Sequence, residues 1–252
     1  MLSIEPMLKL DNLPAKTRHV FDYLVQYDGP AMHKATLMGG TALALLIGHR
    51  LSEDLDFFYF EKELPKQAIK SLVYDLKTAG FSVSNIMDPS RISQARINGF
   101  FLDEYIQEYA IDGVKVSFAV MAKGSPSRRD YLLTAERVER FGQFGMLALE
   151  PLFKSKAVVL MDRVKSRDLF DLMILLTQYN YTIDDIIDTL ITIDERDEVE
   201  SETALEILVG NIPVDKDDSG FESINLDITL KDIYRTLEPL VNDYEQRMVL
   251  RS

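Results

Sequence analysis

Residues 36–60 read TLMGGTALALLIGHRLSEDLDFFYF, and this stretch decides the predicted fold. It begins with a short apolar run, continues through Gly39-Gly40 and the apolar ALALLIG, and ends in LDFFYF, which is rich in strand-forming aromatic residues. The pattern predicts a strand, a glycine turn, a helix and a second strand. Because alternate residues of a strand share a face, we expect Asp54 and Asp56 to present two carboxylates side by side.

The same stretch predicts two neighbouring binding sites. Adjacent carboxylates repel each other, and a divalent cation between them removes that repulsion. Oxygen ligands suit Mg²⁺ or Mn²⁺, and Mg²⁺ typically takes one or two protein carboxylates together with substrate phosphates. A Gly-Gly-Thr sequence at a helix N-terminus offers backbone N–H groups and a hydroxyl to a phosphate. We therefore expect a metal site at Asp54 and Asp56, one helix away from a phosphate site at Gly39, Gly40 and Thr41.

Two motifs of this chain resemble those of one enzyme family. The run GGTALALLIGHRLSEDLDFF is similar to the first motif of the AbiEii/AbiGii toxin family of nucleotidyltransferases, within the DNA polymerase β-type superfamily. The run KAVVLMDRVKSRDLFDL, at residues 156–172, resembles the second motif of that family. The resemblance covers roughly residues 10–180. It implies an enzyme that moves a nucleoside monophosphate from an NTP to an acceptor hydroxyl with the help of Mg²⁺ or Mn²⁺.

The resemblance also implies roles for single residues. Lys156 would contact nucleotide phosphates, Asp171 would be the catalytic acid of the second motif, and Asp168 and Arg163 are further candidates. The nucleotide-binding residues that it implies are Gly39, Gly40, Thr41, Arg50, Ser52 and Lys156.

Several of these residues have a purely structural alternative. A lysine in an apolar helix can extend its stem along the edge of the core, which is the alternative for Lys156. Acids near a helix N-terminus complement the helix dipole, which is the alternative for Asp168 and Asp171. Arg50 and Ser52 have the alternative of bracing the loop before the strand.

One position departs from the family. Polymerase β-type enzymes commonly place a third carboxylate on a later strand that faces the Asp-x-Asp pair, and Ser117 in GVKVSFAV occupies that position. Three alternatives follow: a relaxed metal site, a substitute acid such as Asp112 or Asp171, or lost activity.

Composition excludes several other classes of protein. The 252 residues include no cysteine and only three histidines, which excludes disulfides and thiolate zinc sites and makes a histidine metal cluster unexpected. No apolar run reaches the roughly 20 residues of a membrane span, and the first residues do not resemble a signal peptide. We therefore expect a protein of the cytoplasm without a membrane partner.

The net charge of −13 is unevenly distributed. Residues 123–167 carry 10 basic and 5 acidic side chains, whereas residues 168–252 carry 6 basic and 21 acidic side chains. Within the basic segment, AKGSPSRRD predicts an exposed, mobile loop whose Lys123, Arg128 and Arg129 would contact nucleic acid or the triphosphate. The acidic last third predicts a solvated surface.

The remaining periodicities give the predicted fold class, α+β. Helical spacing marks residues 15–27, 65–80, 149–164, 166–179 and 182–193, with Ser166 and Thr182 as N-caps of the last two. Period-two runs from Phe81 to Val120 predict four strands, joined in part by hairpins at Asn98-Gly99 and Asp112-Gly113. We expect a polymerase β-type nucleotidyltransferase core, a small mixed sheet with flanking helices, at residues 1–125. A mainly helical C-terminal domain at residues 126–252 would follow it.

The expected function is that of a toxin-like component of a toxin–antitoxin or phage-defence system. NTP would be the substrate, tRNA or a protein the acceptor, and a separately encoded antitoxin the partner. One alternative is a catalytically inactive nucleotide-binding or regulatory protein of the same fold. Another is a small-molecule nucleotidyltransferase of the antibiotic-modifying type, because an acidic surface suits a cationic drug.

Overall fold

The computed structural model describes residues 8–121, 126–221 and 226–250, and these form two compact units. The described residues within 1–124 and 135–149 belong to unit 1, and those within 125–134 and 150–252 belong to unit 2. This division differs from a single boundary at residue 125, because residues 135–149 return to unit 1 as a hairpin.

Unit 1 is built on a seven-stranded mixed sheet. The strands are β1 (Thr36–Met38), β2 (Leu55–Tyr59), β3 (Val83–Asn85), β4 (Ile106–Ile111), β5 (Val114–Val120), β6 (Arg137–Phe141) and β7 (Phe144–Leu147). Their order across the sheet is β3-β4-β5-β2-β1-β7-β6. β2 runs parallel to β5 and β1 parallel to β7, while the other neighbouring pairs are antiparallel. The predicted α+β class with a mixed sheet and flanking helices is confirmed.

Alternation along β2 decides which face of the sheet is core. Leu55, Phe57 and Tyr59 are buried, while Asp56 and Phe58 are partly exposed. The Phe57 ring stacks on Phe118 of β5, with centroids 5.7 Å apart, and meets Phe144 of β7 edge-on at 5.0 Å. Aromatic packing therefore fills one face of the sheet and leaves Asp56 on the other.

Unit 1 contains five α-helices within the described residues, and three of them lie where the sequence predicts a helix. They are α1 (Ala15–Gln26), α2 (Pro30–His33), α3 (Gly39–Ile47), α4 (Lys66–Thr78) and α5 (Pro89–Ile97), with short 3-10 turns at Leu10–Asn12 and Leu102–Glu104. α1 and α4 match the helices expected from apolar spacing, and α3 matches the helix expected after the glycine turn. Gly39 and Gly40 form the first turn of α3, and Gly48 ends it with a φ of 69°.

The predicted strand at residues 91–97 is wrong, because this segment is part of α5. Asp88 caps the helix by accepting a hydrogen bond from the Ser90 N–H at 2.8 Å, and Pro89 occupies the first turn. Gly99, at a φ of 73°, follows the C-terminus of the helix, so Asn98-Gly99 terminates a helix and forms no hairpin. The hairpin at Asp112-Gly113 is confirmed: both residues have positive φ, and Ile111 pairs with Val114.

Unit 2 is helical, as predicted for the C-terminal half. Its helices are α6 (Pro126–Thr134), α7 (Leu149–Asp162, whose first residue belongs to unit 1), α8 (Ser166–Gln178), α9 (Ile183–Thr192), α10 (Glu198–Leu208) and α11 (Leu230–Val249). Thr182 caps α9 with a reciprocal capping box, which confirms its predicted role. Ser166 is the first helical residue of α8 and the cap is Lys165, so the predicted cap at Ser166 is wrong. No helix within the described ranges is both long and apolar enough to cross a membrane.

The predicted mobile basic loop is also wrong where the structure describes it. Residues 126–134 form α6, and Arg128 is buried. The Arg128 guanidinium donates to a carboxylate oxygen of Asp194 at 2.6 Å and to Asp162 at 2.9 Å. Arg128 therefore holds unit 2 together and does not offer its charge to nucleic acid. Lys123 lies outside the described residues.

Candidate active site

The N-terminus of α3 lies directly beside Asp56. Met38, the residue before α3, pairs with Asp56 across β1 and β2. Gly39 has a φ of 75°, and a Cβ built on it would lie 3.3 Å from the Asp56 Oδ2 atom. Glycine at this position therefore keeps the backbone in a left-handed conformation and lets the carboxylate approach the helix end. The predicted proximity of the glycine turn and the carboxylate is thus a feature of the fold.

Arg50 lies against the first turn of the same helix. A Cβ on Gly40 would overlap the Arg50 Nη2 atom, so the second glycine leaves room for the guanidinium. The Arg50 side chain is buried and donates to the Leu51 carbonyl at 3.0 Å. A buried guanidinium next to a helix N-terminus adds positive charge where an anion would bind.

A set of hydrogen bonds fixes the loop between α3 and β2. The Thr41 hydroxyl donates to the Asp54 carbonyl and lies 2.7 Å from the Ser52 hydroxyl. The Asn12 amide donates to the carbonyls of Gly48 and Arg50, each at 3.0 Å. Thr41 and Ser52 are both buried, so their hydroxyls orient the loop that carries Asp54. Their contact with a triphosphate stays a prediction.

Sequence reasoning missed Asn12 as part of this arrangement. It lies 36 residues before Gly48, in a short 3-10 turn that carries no motif. Its own carbonyl accepts from the Ser52 N–H at 3.0 Å, so one residue contacts the loop at three points. A contact of this kind depends on tertiary structure and leaves no periodic signal in the sequence.

Asp54 and Asp56 fit a cation that completes its coordination with substrate. Asp54 immediately precedes β2, and both side chains are partly exposed. Throughout the part of the chain that the structure describes, no three or more metal-ligating side chains gather in one place. Two carboxylates without further protein ligands are the donor set that Mg²⁺ accepts when phosphate oxygens and water supply the rest.

The position of the third carboxylate is occupied by Ser117, as the sequence indicates. Ser117 of β5 pairs in register with Asp56 of β2, and its hydroxyl donates to the Asp56 Oδ1 atom at 2.5 Å. Asp112 does not replace it, because it lies in the turn before β5, five residues or about 16 Å of extended chain away. The Asp112 carboxylate instead accepts from the Ser82 N–H at 2.8 Å. Asp171 belongs to unit 2.

The residues of the second motif form a buried charge cluster in unit 2. The Lys156 ammonium on α7 contacts Asp168 and lies 2.7 Å from the Asp171 Oδ2 atom, and both acids are on α8. Arg163 lies 3.1 Å from Asp168 and is more than half exposed. Burial alone would raise the pKa of Asp168, but the charges of Lys156 and Arg163 hold that pKa below its ordinary value. Lys156 is therefore paired with two buried carboxylates. A lysine that extends its stem along the edge of the core would not make these contacts.

Comparison with known proteins supports the resemblance. The profile of the nucleotidyl transferase AbiEii toxin family, of type IV toxin–antitoxin systems, matches residues 22–245. An uncharacterized protein of Aquifex aeolicus (strain VF5) is 27% identical over 150 residues, and the match covers 60% of this chain and 61% of that protein.

Two solved structures resemble this one along most of their length. MenT4, a nucleotidyltransferase toxin from Mycobacterium tuberculosis H37Rv, superposes with a TM-score of 0.50 at 11% identity, over 93% of this chain and 88% of that chain. A putative nucleotidyltransferase from H. pylori superposes with a TM-score of 0.49 at 18% identity, over 94% and 96% of the two chains. At such low identity the MenT4 likeness shows the fold alone. Because the family profile spans both motifs and most of the sequence, the chain belongs to the AbiEii family of nucleotidyltransferase toxins.

Proposed function

We propose that this protein transfers a nucleoside monophosphate from an NTP to an acceptor hydroxyl and releases pyrophosphate. Asp54 and Asp56 would hold one divalent cation, Mg²⁺ or Mn²⁺. The observation that carries the proposal is the approach of Asp56 to Gly39 at the N-terminus of α3. The carboxylate that would bind the metal ion and the helix N-terminus that would bind phosphate could then contact the same triphosphate.

The residues of unit 1 provide the binding and orientation that phosphoryl chemistry needs. The first N–H groups of a helix such as α3 have no carbonyl partner within the helix, and groups of this kind bind phosphate at helix N-termini. Arg50 adds a fixed positive charge beside them. The hydrogen bonds of Thr41 and Asn12 hold the loop before β2, so Asp54 need not be reordered when substrate binds. A bound cation would polarise the phosphate and the acceptor hydroxyl.

We also propose, from the resemblance to the second motif, that Lys156 contacts nucleotide phosphate. Asp168 and Asp171 both pair with its ammonium and restrict its rotation. A restricted, charged lysine stabilises charge that develops on a transferring phosphoryl group without having to be reoriented. Asp171 is fully buried, so we assign it to holding Lys156, with Asp168 in the same role and Arg163 as an outer partner of Asp168.

The acceptor in this proposal is a hydroxyl of tRNA or of a protein. The partner is a separately encoded antitoxin, as expected for a type IV toxin–antitoxin system, and the compartment is the cytoplasm. A small-molecule acceptor of the antibiotic type is a further outcome of the experiment below.

The experiment follows the label from each of the four α-labelled NTPs. The protein is incubated with Mg²⁺, one NTP and either total RNA or a cell lysate, and the labelled product is identified. We expect Asp56→Asn to lose transfer by about 100-fold or more while keeping the fold, because a neutral amide binds Mg²⁺ poorly. Asp28→Asn is the matched control, since Asp28 is highly exposed and contacts only His33 among the described ion pairs. Full transfer by Asp56→Asn would refute the metal site.

Ser117 gives specific support to one rival, a nucleotide-binding protein without turnover. A neutral residue at the third-carboxylate position removes a ligand that two-metal enzymes use. Thermal melts with Mg²⁺ and NTP distinguish the two proposals, because a ligand of the native state raises the melting temperature whether or not it reacts. A higher melting temperature without label transfer favours the rival. No shift at millimolar NTP contradicts both.

A further inference from the structure

A row of polar side chains crosses three strands of the sheet at the candidate metal site. Asp56 of β2 is in register with Ser117 of β5, and Ser117 is in register with Glu108 of β4. Residues in register on neighbouring strands lie on the same face, so all three side chains emerge on the side opposite the aromatic core. Asp112 and Asp171 were the substitutes for the missing carboxylate that the sequence suggested, yet the acid that the sheet places next to Ser117 is Glu108.

Lys115 lies within the same row. It precedes Ser117 by two residues on β5 and therefore shares its face. The Lys115 Nζ atom is 2.9 Å from Glu108 Oε1, and the Glu108 side chain is only 13% exposed. On the other side of Glu108, Arg91 Nη1 lies at 3.9 Å from Oε2. Glu108 thus forms ion pairs with Lys115 and Arg91, and it holds the Lys115 ammonium on the face of the sheet that carries Ser117.

The candidate metal ligand Asp54 lies on the other side of Lys115. Leu55 of β2 pairs with Val116 of β5, so the residues just before them, Asp54 and Lys115, are neighbours across the two strands. Lys115 therefore has a carboxylate on each side, Glu108 of β4 and Asp54 before β2. An isolated cross-strand ion pair would account for the contact with Glu108, but it would not account for the position beside Asp54.

We propose that Lys115, held in place by Glu108, takes the place of a second metal ion, so that this site binds one divalent cation for each nucleotide. The proposal rests on the proposed function, since it assigns a role to Lys115 at the same Asp54 and Asp56 site. A second cation next to Asp56 would need a further carboxylate, and Ser117 provides a neutral hydroxyl. A second cation would also be repelled by the fixed ammonium. Lys115 supplies a single positive charge in its place, and the N–H groups that do not bond Glu108 can donate to phosphate or acceptor oxygens.

The test counts metal ions on the protein. Purified protein is equilibrated with Mn²⁺ and a non-hydrolysable α,β-methylene NTP analogue, tried for each of the four bases. Retained Mn²⁺ and retained analogue are then measured. We expect one Mn²⁺ for each analogue, whereas two would overturn the proposal and would point to Glu108 as a metal ligand. Failure of the proposed function looks different: the wild type would bind no Mn²⁺, or Asp56→Asn would bind it equally well.

Variants of Lys115 give a second readout that does not depend on turnover. Lys115→Met removes the nearby positive charge, so Mn²⁺ binding without nucleotide should tighten by about 3- to 10-fold. Lys70→Met is the matched control, because Lys70 is an exposed lysine of α4, and it should leave Mn²⁺ affinity unchanged. A protein with both Lys115→Met and Ser117→Asp regains the third carboxylate and should retain two Mn²⁺ for each analogue.

Unchanged Mn²⁺ affinity in Lys115→Met would overturn the proposal. This single change is at a side chain that is 44% exposed, so the fold should tolerate it even where the double variant does not fold.

Discussion

Replacing Lys156 by methionine tests how the second motif is held together. The Lys156 side chain is 8% exposed, and the two carboxylates that it contacts, Asp168 and Asp171, are 4% and 0% exposed. Removing one member of a buried ion pair leaves uncompensated charge in the interior and costs about 3–5 kcal/mol. For a chain of this size we expect the melting temperature to fall by about 6–20 °C.

The stability that Lys156→Met loses relative to wild type should depend on pH in a defined direction. In the wild type the pKa of Asp168 lies below its ordinary value of 3.8, so the cluster stabilises the fold fully above that value and loses its contribution as the pH falls through the folded-state pKa. In Lys156→Met, only Arg163, which is more than half exposed, still opposes the effect of burial, so we expect the pKa of Asp168 to rise above its ordinary value. The native variant then binds more protons than its unfolded state, and its stability decreases as the pH rises from about 4 to 7. The deficit relative to wild type is therefore largest at neutral pH.

Urea unfolding followed by circular dichroism at several pH values measures this deficit. Lys154→Met is the matched control on the same helix, because Lys154 forms an i, i+4 pair with Glu150, which is more than half exposed. Its replacement should cost less than about 1 kcal/mol. Adding Asp171→Asn to Lys156→Met should restore about 1–3 kcal/mol, since it removes one of the uncompensated charges. A deficit below about 1 kcal/mol at pH 7, or one that does not change with pH, would refute the charge-balancing role.

Two further predictions concern the glycine turn and the arginine of α6. Gly39→Ala introduces a left-handed alanine next to Asp56, so we expect it to lose about 1–3 kcal/mol of stability and to bind Mn²⁺ about tenfold more weakly. Gly99→Ala is the matched control, because Gly99 has a similar φ and open space around it. It should lose stability through backbone strain but bind Mn²⁺ as the wild type does. Equal losses of Mn²⁺ affinity in the two variants would contradict this reasoning. Arg128→Met should destabilise the protein by about 1.5–3 kcal/mol, because it removes charged hydrogen bonds to the buried Asp194 and leaves Arg196 as the remaining arginine in contact with that carboxylate; a thermal melt within 2 °C of wild type would exclude this.

Local patterns predicted the part of the fold that carries the first motif. β1, α3 and β2 are predictable because a short apolar run, a double glycine with an apolar helix, and an aromatic strand follow one another within 25 residues. The hairpin between β4 and β5 is predictable because Asp112-Gly113 supplies the positive φ angles that its turn requires. Each of these elements is decided by residues that are close in sequence.

Two predictions were wrong because the local sequence of each segment permits more than one structure. RISQARI places Ala95 and Ile97 two residues apart, as in a strand, but it also places Ile92 and Ala95 three apart, as in a helix. The helix forms because Asp88 caps it and Pro89 occupies its first turn. The basic loop was inferred from glycine, serine and two arginines. Arg128 is instead neutralised by Asp194, an acid 66 residues later, and a contact between residues so far apart cannot be inferred from composition.

The charge of the candidate metal site depends on register, which local sequence does not determine. The sequence identifies Ser117 as a departure from the family, but the consequence of that departure depends on which side chains lie beside Ser117 on β5 and on the neighbouring strand β4. Only the order β4-β5-β2 brings Glu108 next to Ser117, and only the strand alternation puts Lys115 on the same face. In this chain the neutral Ser117 faces Asp56, and the cationic Lys115 lies two residues before it on the same face, while Glu108 balances part of the lysine charge. A neutral hydroxyl and a nearby ammonium both disfavour a second cation, so we expect this site to hold one metal ion beside a lysine.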